Sequence, residues 1–260
     1  MPVYIDQIGR KVSISNTPDR IVSLVPSQTE LLFDLGLNEE VVGITKFCIH
    51  PQKLVHSKTK VGGTKQLKMD VIHQLSPNLI IANKEENVKE QIEELEKNYP
   101  VWVSDVYSLE DAYDMIVQLG KITGKQKESV SIKNLINENF NKLKAPVSKR
   151  TAAYLIWRNP FMTVGGDTFI NAMMEKIGFE NVFKNKSRYP ETTIEELKRL
   201  KIELLLLSSE PYPFSKKYII ELQTELPDTK IILVDGEMFS WYGSRLLKVP
   251  HYLQQLSQSL

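Results

Sequence analysis

MDVIHQLSPNLIIAN, residues 69–83, and IEELKRLKIELLLLSS, residues 194–209, carry the same pattern: a stretch of helical spacing, a break, and then a continuous apolar run of strand length. A run without polar alternation is the mark of a strand covered on both faces, as in a parallel sheet with helices above and below. Similar runs occur at RIVSLV (20–25), EVVGI (40–44), VWVSD (101–105), AAYLIW (152–157) and KIILVD (230–235), most of them leading into a helical pattern. The alternation predicts an α/β fold.

The pairing of those two stretches is not isolated. VSLVPS from Val22 matches YLIWRN from Tyr154, and YPVWVSD before Asp105 matches TKIILVD before Asp235, all three pairs in the same order and about 125 to 132 residues apart. The chain therefore reads as two similar α/β lobes. Helices are predicted after the first strand, with Ser27 or Thr29 as cap and Gly36 as stop, and over Asp70–Leu75, Val88–Asn98 and Leu109–Leu119. A polar stretch from Lys125 to Leu143 has no counterpart in the repeat, and its apolar positions, Val130, Ile132, Leu135, Ile136, Phe140 and Leu143, form one stripe. As a helix of about 19 residues it would span nearly 30 Å. The expected organisation is a lobe over 1–123, a linking helix over 124–145 and a second lobe over 146–260, with the basic residues Lys142, Lys144, Lys149 and Arg150 around a linker at Pro146.

Composition narrows the function. Lys and Arg number 33 against 32 Asp and Glu, with the signs mixed along the chain, so no concentrated basic face is available for phosphate backbones and nucleic acid is excluded as a partner. Cys48 is the only cysteine, which rules out an intrachain disulfide and any Cys-built zinc or iron–sulfur site. The opening MPVYIDQIGRK has neither a basic n-region nor an apolar h-region. Either a leader is missing from this chain or the protein is cytosolic.

RIVSLVPSQTELLFDLGLNEEVVGITKFCIHP resembles the opening of the periplasmic receptors for cobalamin, haem and ferric siderophores, with a first strand, a Pro-Ser turn and a Glu-Leu-Leu helix. VGGTKQLKMDVIHQLSPNLIIAN, PVWVSD, NPFMTVGGDTFINAMMEKIGFENVF and SRYPETTIEELKRL resemble later blocks of that family in the right order, so the likeness spans about 20 to 250. It implies two lobes joined by one backbone helix with the ligand in the cleft between them. It also implies a periplasmic or cell-surface monomer that serves an ABC permease dimer, with no cofactor of its own. The cargo would be cobalamin-like, haem or a ferric siderophore.

Ligands of open α/β sheets sit beyond the carboxyl ends of the strands, which selects residues following each apolar run. In the first half these are Lys46, Phe47, His50, Thr64, Asn83 and Lys84. The second half offers Trp157, Arg158 and Phe161, then Tyr189, and finally Glu237, Met238, Trp241, Tyr242 and Arg245. Aromatic rings suit a flat macrocycle or a catechol. Thr64 and Asn83 fall where the cobalamin receptors would place tryptophans beside the corrin. Arg158, Lys46, Lys84 and Arg245 favour an anionic ligand such as a ferric chelate or haem propionates. His50 is the best placed of the histidines for a metal contact, but no second ligand lies at metal spacing and no metal site is assigned. In the resembled family an acidic residue on the outer surface of each lobe docks with permease arginines; Asp70 and Glu195, at matching places in the repeat, occupy those positions. Read without the family, they are acids at helix N-termini, where the dipole favours them.

No enzyme motif competes strongly. GKITGKQ lacks the spacing and the Ser or Thr of a Walker A loop, and GxGxxG, HExxH and GxSxG are absent. VGG at 61 and VGGD at 164 read as turns. The alternative reading is a cytosolic two-lobed chelatase-like enzyme, for which only His50 near Glu237 offers chemistry, or a soluble carrier of a metal tetrapyrrole.

Overall fold

The computed structural model describes residues 1–144 and 149–260, so the linker expected at Pro146 and the boundary at 145–146 lie outside the described residues. The chain forms two compact units. One comprises Met1–Val106, Glu110–Glu138 and Tyr242–Leu247; the other comprises Tyr107–Leu109, Asn139–Trp241 and Lys248–Leu260. No helix among the described residues is long and apolar enough to cross a membrane.

The first unit opens with an antiparallel hairpin of β1 (Val3–Ile5) and β2 (Lys11–Ser13). Then β3 (Ile21–Ser23), α1 (Pro26–Asp34), β4 (Val41–Ile44), α2 (Gln52–Val55), β5 (Thr59–Lys60), α3 (Met69–Leu75), β6 (Leu79–Asn83), α4 (Lys89–Glu96) and β7 (Val101–Ser104) build a five-stranded sheet of order β5-β4-β3-β6-β7. Every pairing in it is parallel. Val22, Leu24, Ile80, Ala82, Val101 and Val103 form one face and pack against Ile72 of α3 and Ile92 and Leu95 of α4. The alternate residues Ile21, Ile81 and Trp102 are equally buried, which is why these strands read as unbroken apolar runs.

Helix α1 begins at Pro26 with Val25 as its N-cap, not with Ser27 or Thr29 as the sequence suggested. Proline suits the first helical position because its missing N–H would have no intrahelical partner there. Thr29 lies inside the helix, where its hydroxyl donates to the Val25 carbonyl at 2.8 Å. The helix does end at Gly36, at φ +81°, with Gly36 N–H donating to Phe33 O and Leu37 N–H to Leu32 O. That is the Schellman arrangement, which needs the left-handed residue glycine supplies. Two long helices close this stretch, α5 (Leu109–Ile122) and α6 (Gln126–Asn141). In α6 Ile136 and Phe140 are buried, while Val130 and Leu135 face solvent, so the apolar stripe is narrower than predicted.

The second unit contains β8 (Arg150–Leu155), β9 (Phe161–Met162), α7 (Phe169–Lys176), β10 (Phe179–Asn181), β11 (Glu191–Thr192), α8 (Ile194–Leu200), β12 (Leu204–Ser208), α9 (Lys216–Glu225), β13 (Lys230–Val234), α10 (Glu237–Ser240) and α11 (Val249–Gln258). Its parallel sheet has the order β10-β8-β12-β13, and β9 pairs antiparallel with β11 in a short ribbon.

The sequence repeat is visible in the topology. Strands β3-β6-β7 and β8-β12-β13 are neighbours in the same order within their sheets. Helices α3 and α8, which precede β6 and β12, both end on a left-handed residue, Ser76 at φ 44° and Lys201 at φ 48°. Even a side-chain bond repeats: Asn78 Oδ1 accepts from Arg20 N–H at 3.0 Å, and Glu203 Oε2 accepts from Thr151 N–H at 2.8 Å.

In the second core Leu205 and Leu207 of β12 pack with Ala153, Leu155, Leu197 and Leu222. Removing a fully buried leucine side chain from such a site costs about 2–5 kcal/mol. Leu205→Ala is therefore expected to lower the unfolding free energy by an amount in that range, seen as a fall in the denaturant midpoint with m unchanged. A loss near zero would show that this core is not packed as described.

Candidate functional site

Because every strand of the five-stranded and the four-stranded sheet is parallel, the carboxyl ends within each of these sheets lie along one edge, and the loops leaving that edge hold the candidate residues. In the first unit Phe47 is 50 % exposed, with the Lys46 ammonium 5.0 Å from its ring centroid. Its ring edge lies 3.1 Å from where a Cβ at Gly63 would stand, so a side chain there would push the ring back by a few tenths of an ångström. His50 and Thr64 are half-buried in the same set of loops. Among the described residues no group of three or more His, Cys, Asp or Glu gathers closely enough to hold a metal ion.

Asn83 has a different role from the ligand contact predicted for it. It is 3 % exposed, and its amide is fully engaged: Nδ2 donates to the Ser104 carbonyl and hydroxyl at 3.2 and 3.0 Å, while Oδ1 accepts from Glu85 and Glu86 N–H at 2.9 and 3.0 Å. A buried amide with all these bonds made shapes the turn after β6 and has little left for a ligand. Lys84 beside it is paired with Asp105 at 2.6 Å.

Arg245 is likewise reassigned. Its guanidinium makes a bidentate pair with Glu30 at 2.8 and 2.9 Å, both side chains almost wholly buried. A cation engaged in this way is neutralised within its own unit and is not offered to an anionic ligand. Tyr242, in the same segment, is 7 % exposed and donates to Glu86 Oε1 at 3.1 Å; burial, then the adjacent Glu86 charge, holds its phenol well above the ordinary range, so it remains a donor.

In the second unit Trp157, leaving β8, is 40 % exposed and stands edge-on to Tyr212, ring centroids 5.7 Å apart. Arg158 lies over the Tyr218 ring at 4.8 Å and is paired with Glu221. Phe161 packs partly into the core beneath, and Tyr189, Glu237 and Met238 are half-buried. Trp241 is 7 % exposed, and its indole N–H donates to Glu210 Oε1 at 2.9 Å, an atom that also accepts from the Ser240 hydroxyl at 2.9 Å. Asp70 and Glu195 are each the second residue of their helix, α3 and α8, and both are exposed.

The reading of the sequence passed over Glu210 and Tyr212, which leave the carboxyl end of β12 directly after the run ELLLLSS. The strand-end rule that selected the other candidates applies to that run unchanged and would have named them.

A family model described as periplasmic binding protein matches residues 21–225. The chain belongs to the periplasmic binding protein family. The vitamin B12-binding protein of Vibrio parahaemolyticus is 26 % identical over 212 residues, covering 79 % of this chain and 77 % of that protein. Among solved structures, the periplasmic heme-binding protein HutB of Vibrio cholerae superposes with a TM-score of 0.78 at 20 % identity, over 91 % of this chain and 98 % of that one. The catecholate-siderophore binding protein VctP of Vibrio cholerae does so with a TM-score of 0.77 at 16 % identity, over 100 % and 99 %. Both structures share the fold of this periplasmic binding protein.

Glu210 gives the site a measurable pH response. Burial raises its pKa above the ordinary 4.5, the Glu237 and Asp235 charges push the same way, and the hydrogen bonds from Ser240 and Trp241 oppose them. The folded chain thus holds the proton more tightly than the unfolded chain, and stability falls as pH climbs from 4.5 through the raised value. Gln at this position keeps an acceptor for the indole and has no charge to bury. Urea denaturation across that pH range is expected to show Glu210→Gln gaining on the unmodified protein as pH rises. A gap that narrows instead would remove Glu210 from this role.

Proposed function

We propose that this protein is the ligand-binding receptor of an ABC importer, which captures a metal-containing macrocycle or chelate outside the cytoplasm and delivers it to a membrane permease. The observation that carries this reading is the family match over 21–225, on a fold whose two sheets each direct a set of loops from their carboxyl edge. The relatives named above bind vitamin B12, haem and a catecholate siderophore. Vitamin B12 and haem are metal-containing macrocycles and a catecholate siderophore is an iron chelator; all three carry flat conjugated groups, and exposed rings such as Phe47 and Trp157 match that chemistry. The family is one of binding proteins, which favours the receptor over a chelatase-like enzyme. On this reading the protein acts as a monomer without catalysis, and Phe47, His50, Thr64, Trp157, Arg158, Tyr189, Glu237 and Met238 supply ligand contacts.

Titration with cyanocobalamin, hemin and a ferric tris-catecholate, followed by native mass spectrometry and tryptophan emission, tests the proposal. One of the three is expected to give a one-to-one mass shift with quenching through Trp157, and Trp157→Ala to weaken its binding by about 1–3 kcal/mol, the range for losing a large buried contact. Absence of binding by all three would sink the receptor reading for these ligand classes.

Asp70 and Glu195 are proposed as the permease contacts, one from each unit, because they are exposed at equivalent places in a duplicated fold. Asp70→Ala and Glu195→Ala should leave ligand affinity intact while permease binding weakens and loses part of its salt dependence, since exposed interfacial charges act largely through long-range attraction. Unaltered permease binding by the double variant would return both residues to the role of helix N-terminal acids.

A further inference from the structure

The loop after β5 at the carboxyl edge of the first unit has little backbone pairing of its own. Between Gly62 and Leu67 the chain makes a single antiparallel bridge and a tight turn in which Gly63 N–H donates to Gln66 O at 2.8 Å. Gly62, at φ +107°, turns the backbone into that loop. Alongside the backbone bonds from Lys68 N–H to Val61 O and from Lys46 N–H to Gly62 O, both at 2.8 Å, side chains before and within α4 hold the loop. Asn87 Nδ2 donates to the Thr64 carbonyl at 3.1 Å, Gln91 Nε2 to the Lys65 carbonyl at 3.1 Å, and Gln91 Oε1 accepts from Leu67 N–H at 2.8 Å.

Asn87 does more than Gln91, because it reaches three strand ends at once. Besides Thr64, its Nδ2 donates to the Leu24 carbonyl just after β3 at 3.4 Å, and its Oδ1 accepts from Asn83 N–H at the end of β6 at 2.8 Å. Its own N–H donates to Asn83 O at 3.1 Å. Asn83 extends the network to β7 through Ser104, whose hydroxyl also accepts from Gln28 of α1. Asn87 is 5 % exposed, so these bonds form in a medium where water does not compete well for them. An amide is the smallest group that supplies two donors and an acceptor in one plane, and neither Asp nor Ser reproduces that set.

We propose that Asn87 is a positioning residue that locks the loops after β3, β5 and β6 into one arrangement, and so presents Thr64 to the ligand without touching it. The ligand part of this statement rests on the receptor reading; the placement of the loops does not. Fixing a binding loop before the ligand arrives removes the ordering cost from the binding step, which is how a residue without ligand contact changes affinity.

Asn87→Ala and Asn87→Asp separate the two parts. Aspartate keeps the acceptor for Asn83 N–H but loses both donated bonds and sets a carboxylate against two carbonyl oxygens. In Asn87→Asp, backbone amide exchange over residues 64–67 is expected to quicken about tenfold while Asn83 N–H and the β6 and β7 amides keep their protection. In Asn87→Ala, the exchange at Asn83 should quicken as well. Whichever of cyanocobalamin, hemin or a ferric tris-catecholate the unmodified protein binds should bind both variants about tenfold more weakly. Unchanged exchange in both variants overturns the proposal, and so does a loosened loop with undiminished affinity. If the unmodified protein binds none of the probes, the receptor reading falls, while the exchange data still decide whether Asn87 holds the loops.

Discussion

A strand paired in parallel on both sides and covered by helices on both faces has no solvent side, and this constraint organises the whole protein. It forces apolar residues at consecutive positions, because both faces of the pleat are interior. A crossover of a dozen or more residues must follow each strand, because a parallel neighbour cannot be reached through a hairpin. All carboxyl ends in a sheet then share one edge, and that edge is where chain segments have no ladder to obey and are free to carry chemistry. Glu210, Trp157, Phe47 and Asn87 all lie in segments leaving such an edge, although they come from distant parts of the chain.

This constraint also decides what was legible in the sequence. Seven apolar runs mark seven of the strands, and the pairing of 69–83 with 194–209 anticipates two sheets of like topology, down to left-handed residues ending α3 and α8. Burial writes directly into composition, so burial is what sequence reading recovers. The short strands β9, β10 and β11 escape it, because two or three residues hold too little pattern to rise above their neighbours. The start of α1 was misplaced for a related reason: Ser27 and Thr29 look like caps, but with Pro26 at the first helical position they fall inside the helix.

Site residues were legible by position more than by role. The strand-end rule brought up Asn83, Trp241, Tyr242 and Arg245, yet each has a polar partner that no spacing reveals: Ser104, Glu210, Glu86 and Glu30, the last of them 215 residues from Arg245. A polar residue near an edge can either meet the ligand or hold the loop that does, and its hydrogen bonds decide which. Asn87 is the clearest instance of the second kind. Nothing in NKEENV singles it out, and only the three carbonyl and amide groups around its side chain show what it does.

The ion pair between Glu30 and Arg245 has a consequence for the order in which the protein takes shape during synthesis. Residues 242–247 are an integral part of the first unit, yet they are translated after almost all of the second. Until they emerge, α1 lacks both the segment that packs against it and the guanidinium that pairs with Glu30, so the carboxylate keeps its water on that side. The first unit therefore gains its last packed segment only after most of the second unit has been made, in contrast to the usual order in which an N-terminal domain finishes first. A segment that joins from a distant part of the chain thus ties completion of the first unit to synthesis of most of the second.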